Sequence, residues 1–130
     1  MFAYRKRPPE GSWIGEGLMP MILAEGRYDR RLEIIMDLPK ASVKCLFDQT
    51  DMANAEEVLG DTACIAGYIP AFLIATGTSQ DVKAYYHKFI EVCGRGGGYI
   101  LTGGVSIDRG KSDNLHAMME AARECGVYRK

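Results

Sequence analysis

The sequence predicts an α/β fold of four parallel βα units, and three features carry that prediction. Short, nearly continuous apolar runs recur along the chain: Met19-Pro-Met-Ile-Leu-Ala24, Val43-Lys-Cys-Leu-Phe47, Ala63 to Ala66, and Gly98-Tyr-Ile-Leu-Thr102. Runs of that length suit strands inside a parallel sheet better than the alternating pattern of a half-solvated antiparallel strand. Between them lie segments of helical spacing, opened by capping residues and closed by glycine or proline. The runs start roughly 20 to 35 residues apart, the period of crossover units in a barrel or a doubly wound sheet.

Taken in order, residues 1–12 read as an irregular arm in which Arg5-Lys6-Arg7 precedes Pro8-Pro9, a solvated terminus. Trp13 to Gly17 reads as a helix remnant or turn, so residues 1–17 stand apart from a main domain of residues 18–130. After the first strand, Asp29 is placed to cap a helix whose apolar positions are Leu32, Ile35 and Met36, stopped near Pro39. After the second, Asp51 caps a helix carrying Met52, Ala55 and Leu59, closed by Gly60 at the C′ position. After the third, Pro70 to Ala75 adds a helical turn. Thr78 or Ser79 then caps the longest helix, where Val82, Tyr85, Tyr86, Phe89, Ile90 and Cys93 form an apolar stripe and Gly94 ends it. After the fourth, Ser112 or Asp113 caps a last helix with Leu115, Met118, Met119 and Ala122 inward, closed by Gly126.

Composition narrows the function classes. In 130 residues, 47% are hydrophobic and 25% charged, enough apolar material for one folded domain and too much for a disordered chain. A formal net charge of -1 gives no basic field for nucleic acid or for an anionic membrane surface. No apolar run approaches the ~20 residues of a membrane helix, and no apolar stretch follows the N-terminal charges as in a signal peptide. Cys45, Cys64, Cys93 and Cys125 are widely spaced, and two sit inside apolar runs, which fits reduced thiols and a cytoplasmic setting.

Three stretches, CIAGYIP (64–70), GTSQDVKAYYHKFIEVCGRGGGYILTGGVSI (77–107) and NLHAMMEAAREC (114–125), together resemble the C-terminal part of the uroporphyrinogen decarboxylase superfamily, over about residues 18 to 128. That superfamily includes cobalamin-dependent methyltransferases acting on methanol, methylamines or methoxylated aromatics. Its members are complete (β/α)₈ barrels, so the resemblance implies the C-terminal half of a TIM barrel. Such a half leaves two unpaired strand edges and an uncovered inner face. The implied partners are an N-terminal barrel half or a second copy in a homodimer. The implied function is methyl transfer from a methoxylated or methylamine-like substrate to a corrinoid protein, once a barrel is assembled. Uroporphyrinogen decarboxylation and a non-catalytic assembly or binding module are the alternatives.

In a barrel, chemistry sits on the loops after the C-terminal strand ends. Those loops place Glu25, Asp48, Asp51 and Tyr68 as candidate catalytic groups, with Arg27, Gly103, Gly104 and Ser106 as substrate or corrinoid contacts. Gln49, Thr50, Thr102 and Asp108 lie in the same loops. Acid-rich strand ends suit general acid/base work or an amine-bearing partner. Asp29, Asp51 and Asp113 also have the simpler role of helix caps, whereas Asp48 ends a strand and has no cap to serve. The superfamily's methyltransferases typically hold zinc with His and Cys ligands, the last in a Gly-Cys after the final strand. Here that place reads Gly103-Gly104-Val105, and Ala24-Glu25-Gly26 stands where a His-x-Cys would stand, so the usual zinc set is missing and only Glu25 remains as an oxygen donor. No firmly bound cofactor is expected, the corrinoid being carried by a partner protein. The Gly-His-Gly of the decarboxylases is absent too, since the last strand ends Thr-Gly-Gly. Gly94-Arg-Gly-Gly-Gly98 follows a helix and enters a strand, the reverse of a dinucleotide loop, and is read as a helix stop and turn. His87 and His116 are read as surface residues.

Overall fold

The computed structural model describes residues 14–103 and 106–127. The expected arm, with its basic cluster, and Gly104 lie outside the described residues. Residues 14–17 form a turn, closed by the Gly17 N–H donating to the Ile14 carbonyl at 3.1 Å. Strand β1 (Met21–Ala24), helix α1 (Leu32–Met36), β2 (Lys44–Phe47), α2 (Met52–Leu59), β3 (Cys64–Gly67), α3 (Ala71–Thr76), α4 (Ser79–Cys93), β4 (Tyr99–Leu101) and α5 (Ser112–Cys125) follow in chain order. The fold class is α/β, as expected: a four-stranded, all-parallel sheet alternating with helices.

The strands are hydrogen-bonded in the order β1-β2-β3-β4. Sequential order with crossovers of one hand carries the helices to one face of the sheet. There is no reversal of strand order, hence none of the crevice that a doubly wound sheet opens at its switch point. The register pairs Ala24 with Phe47, Cys45 with Ile65 and Ile65 with Tyr99, so these side chains belong to the helix-covered face. Ala24, Cys45, Phe47 and Ile65 are fully buried there. Each large side chain taken wholly out of water contributes on the order of 1.5–3 kcal/mol. The opposite face carries Met21, Leu23, Leu46 and Ile100, and Met21 and Leu23 are 58% and 49% exposed. Among the described residues that face is thus open to solvent at Met21, Leu23 and Ile100, while Ala66 at its middle is only 2% exposed.

Two clusters fill the space between sheet and helices. The first joins β1, β2 and β3 to α1 and α2 through Leu32, Phe47, Met52 and Leu59. The second joins α3, α4 and α5 through Ile74, Val82, Tyr86, Ala117 and Ala121. Helix α4 ties them together, with Val82 and Tyr86 in the second and Cys93 in the first. The first turn of α4 is fixed by a capping box, Thr78 and Asp81 each accepting the other's backbone N–H. At the far end, Gly97 and Gly98 take φ of 81° and 73°, the left-handed conformation that turns the chain into β4.

Four expectations need correction. Asp29 does not cap α1, whose N-cap is Arg31 with no side-chain hydrogen bond; Asp29 accepts the Asp51 N–H instead. Neither Ser112 nor Asp113 caps α5, whose N-cap is Lys111 with no side-chain hydrogen bond. Gly60 closes α2 in right-handed geometry, φ −53°, as the C-cap itself and not as a left-handed C′ residue. The inward face of α5 is carried by Asn114, Ala117 and Ala121, while Leu115 and Met119 point outward, 37% and 49% exposed. Small residues face α4 because the helices approach closely, and Asn114 is drawn in by the carbonyls of Ile74 and Gly77, at 2.8 and 3.0 Å from its Nδ2. Among the described residues, no helix is long and apolar enough to cross a membrane.

Candidate functional site

The loops that follow β1 and β2 run side by side beyond the sheet, as parallel strands in register require. Three hydrogen bonds lace them at one constant offset of 22 residues: the Gly26 N–H to Asp48 Oδ2 (3.3 Å), the Tyr28 N–H to Thr50 Oγ1 (3.0 Å) and the Asp51 N–H to Asp29 Oδ1 (2.9 Å). Gly26 has φ 83°, a bend that lets its N–H reach across to the carboxylate. Asp51 caps α2 through its Oδ1, which accepts the N–H groups of Ala53 and Asn54. Each of the three carboxylates thus accepts from the backbone with one oxygen. Of the other oxygens, Asp48 Oδ1, Asp29 Oδ2 and Asp51 Oδ2 have no protein donor among the described hydrogen bonds.

Beside this lacing lies an open cleft of ≈ 490 Å³. Arg27, Asp29, Gln49 and Asp51 supply its polar wall, and Tyr68, Tyr85 and Phe89 its aromatic wall. Tyr85 and Phe89 are one turn apart on α4 with ring centroids 4.7 Å apart, which makes a continuous apolar shelf. The Tyr68 hydroxyl donates a long bond, 3.4 Å, to the Thr50 carbonyl. Burial pushes the Tyr68 phenol above its ordinary value, and the negative charges of Asp48, Asp29 and Asp51 add to that push, with Arg27 opposing it. Tyr85, desolvated on the same shelf, is pushed up to about 12. Both phenols are therefore protonated donors at neutral pH.

Of the residues singled out from sequence, Asp51, Tyr68 and Arg27 line the cleft. Asp48 is outside the lining and acts on Tyr68 through its charge. Glu25 is exposed and outside the lining; the register places it one step beyond the Ala24–Phe47 pair, level with Asp48. Gly103 is buried, with the Ile107 side chain folded over the space a Cβ would take. Ser106 is exposed, donates to Asp108 and is outside the lining. Asp29, Tyr85 and Phe89 belong to the site without having been singled out for it. Tyr85 and Phe89 sit on the apolar stripe of α4, whose fully buried positions are Val82, Tyr86 and Cys93, and they face the cleft from the edge of that stripe. The signal for Asp29 was its spacing, which matches the 22-residue offset of its neighbours.

The zinc centre that the resemblance implies does not fit the described residues. No three His, Cys, Asp or Glu side chains among them come together in a way that could hold a metal ion. The four cysteines are free and spread over different elements, with Cys45 and Cys93 buried and pushed up to about 11 and 12 by that burial. His87 sits on the far side of α4, its Nε2 3.3 Å from Glu124 Oε2, and His116 is exposed on α5. Comparisons with protein-family models, with curated proteins and with solved structures find no match.

Proposed function

We propose that this chain is one half of a (β/α)₈ barrel of the uroporphyrinogen decarboxylase-like, corrinoid-dependent methyltransferase type. In the completed barrel a methyl group passes from a methylamine-like or methoxylated substrate to a corrinoid carried by a partner protein. The observation that supports this most is the unreversed parallel order β1-β2-β3-β4, with Arg27, Asp51 and Tyr68 gathered on loops after the strand ends. Side chains in those loops carry the chemistry of such barrels. The three aspartates outnumber the single Arg27, so of the two substrate kinds a cationic methylamine-like one is favoured. Asp29 and Asp51 would hold its ammonium with their free oxygens. From the cationic donor the methyl group would leave behind a neutral amine that needs no proton; with the methoxylated donor, Tyr68, kept protonated by its surroundings, would donate a hydrogen bond to the ether oxygen as it takes up negative charge, exchanging its long bond to Thr50 for a better one. Tyr85 and Phe89 would exclude water from the methyl group.

The test is methyl transfer to a corrinoid protein, followed by the corrinoid's absorbance, with a methylamine and a methoxylated aromatic as donors. It is run on the chain alone and on the chain mixed with a barrel's N-terminal half. Transfer from the methoxylated donor that falls about 10²-fold in Tyr68→Phe, with transfer from the methylamine little changed, is the expected result. No transfer from any assembled barrel would sink this reading. A second reading, a non-catalytic assembly or binding module, is favoured by one observation: Asp29, Asp48 and Asp51 already serve the backbone of neighbouring loops, a purely structural use. It expects full folding and no turnover.

A further inference from the structure

Both layers of this fold stop on the same two sides. In the sheet, β1 and β4 have no partner on their outer edges among the described residues. In the helix layer α1 packs on α2, α2 on α4 and α4 on α5, which leaves α1 and α5 outermost. Each outer helix carries apolar side chains that its neighbour does not cover: Ile34 on α1 is 70% exposed, and Leu115 and Met119 on α5 are also outward. Met21, Leu23 and Ile100 add the bare face of the sheet. A bare face alone would name no occupant. Unmet surfaces at both ends of both layers do.

We propose that a second copy of this chain covers all of these surfaces at once, the two copies closing an eight-stranded parallel barrel around a two-fold axis that runs along the strands. Each β4 then lies beside the other copy's β1, and each α5 beside the other copy's α1. A two-fold rotation about that axis preserves strand direction, so all eight strands stay parallel and no edge is left. Eight is also the strand number whose interior is just wide enough for side chains to fill. The crossover hand that carries every other helix toward the next strand position carries α5 over the β4–β1 seam. There the levels agree: Ile34 is the third residue of α1 and Leu115 the fourth of α5. A stable dimer covers about 800 Å² per copy. At strand spacings of about 4.8 Å and rises of about 3.3 Å, the bare face of four strands presents about 250 Å² in flat projection. Two seams, each a strand edge with its helix, would have to supply the remaining area of about 550 Å². The proposal rests on the half-barrel part of the reading above and is independent of the methyl-transfer part.

The test uses charge pairs. Ile34→Glu and Leu115→Lys are made separately in the full chain, with circular dichroism to confirm folding and sedimentation or light scattering to read mass. The wild type is expected at twice its 14.4 kDa at tens of micromolar. Each single variant should dimerise about tenfold or more weakly, because it sets a charge against an apolar side chain at both seams. Mixing the two variants should restore a heterodimer, which has one Glu–Lys seam and one unaltered seam. If Leu115→Lys fails to fold, Met119→Lys serves on the same helix face. A monomeric wild type overturns the proposal, as does a dimer that both variants leave untouched, the mark of two sheets stacked face to face. So does a barrel formed only with a separate N-terminal half, a result that would leave the methyl-transfer reading standing. A dimer with no methyl transfer would do the reverse.

Discussion

Asp51 carries two duties that one pair of substitutions separates. Its Oδ1 caps α2, and its charge stands at the cleft wall, where it helps raise the Tyr68 phenol. Asn at an N-cap accepts the same backbone bonds as Asp, whereas Ala accepts none. Asp51→Asn should therefore unfold in urea within a few tenths of a kcal/mol of the wild type, and Asp51→Ala about 1 kcal/mol earlier. If the charge binds a cationic donor, both variants should lose affinity for it alike. A binding loss in Asp51→Ala alone would mean that the residue acts only by holding the helix. Asp48 and Asp29 have the same divided character, since each uses one oxygen for the adjacent loop. At this scale the sequence was partly legible. Asp51 was readable as a cap because it stands immediately before a helical stripe. Asp29 looked equivalent and was not, because its best donor, the Asp51 N–H, arrives from 22 residues along the chain. Local spacing cannot reveal a long-range partner.

The elements repeat that contrast. Helix α4 was legible almost residue by residue, since a capping box and a 15-residue amphipathic stripe are both local patterns. Its cap makes a prediction of its own. The Thr78 hydroxyl and then its backbone N–H hold the Asp81 carboxyl below the usual carboxylate value. A depressed folded value stabilises the protein above the unfolded pKa and is lost as pH falls through the folded one. Stability should therefore decline as pH drops below about 4, and Thr78→Ala should flatten that part of the curve while lowering stability at neutral pH. Equal acid slopes in the two proteins, measured by urea unfolding at several pH values, would show that the box does not survive in solution. Helix α5 was legible in extent but not in orientation. Its larger side chains, Leu115 and Met119, suggested the inward face, yet Asn114, Ala117 and Ala121 took it. Hydrophobicity ranks side chains by size, while close helix packing selects small ones, and a buried Asn is stable only where carbonyls such as those of Ile74 and Gly77 meet it. The displaced Leu115 and Met119 are among the surfaces that a second copy would cover.

At the scale of the molecule, the arrangement makes folding and association one process. The helix-covered side of the sheet is complete, with Phe47, Leu59 and Ile65 fully out of water, so a single copy has a core of its own. What it lacks lies on the other side and at the two ends, where Met21, Leu23, Ile34 and Ile100 meet solvent. If a second copy covers them, the native state gains stability by mass action, and the unfolded chain gains none. A tenfold rise in concentration then adds about 1.4 kcal/mol to the stability of the dimer. For a unit of this size that amounts to roughly 3 °C in the melting temperature. Melting the wild type over a hundredfold concentration range should thus raise Tm by about 6 °C. The same series on Ile34→Glu should be flat and begin lower, because its seams no longer close at either end. Leu23→Lys, on the bare face and not at a helix seam, should flatten the series too, since a lysine ammonium cannot stay in a closed, side-chain-filled interior. A wild-type Tm independent of concentration would mean that the four-stranded half is stable without a second copy, and would overturn the dimeric barrel.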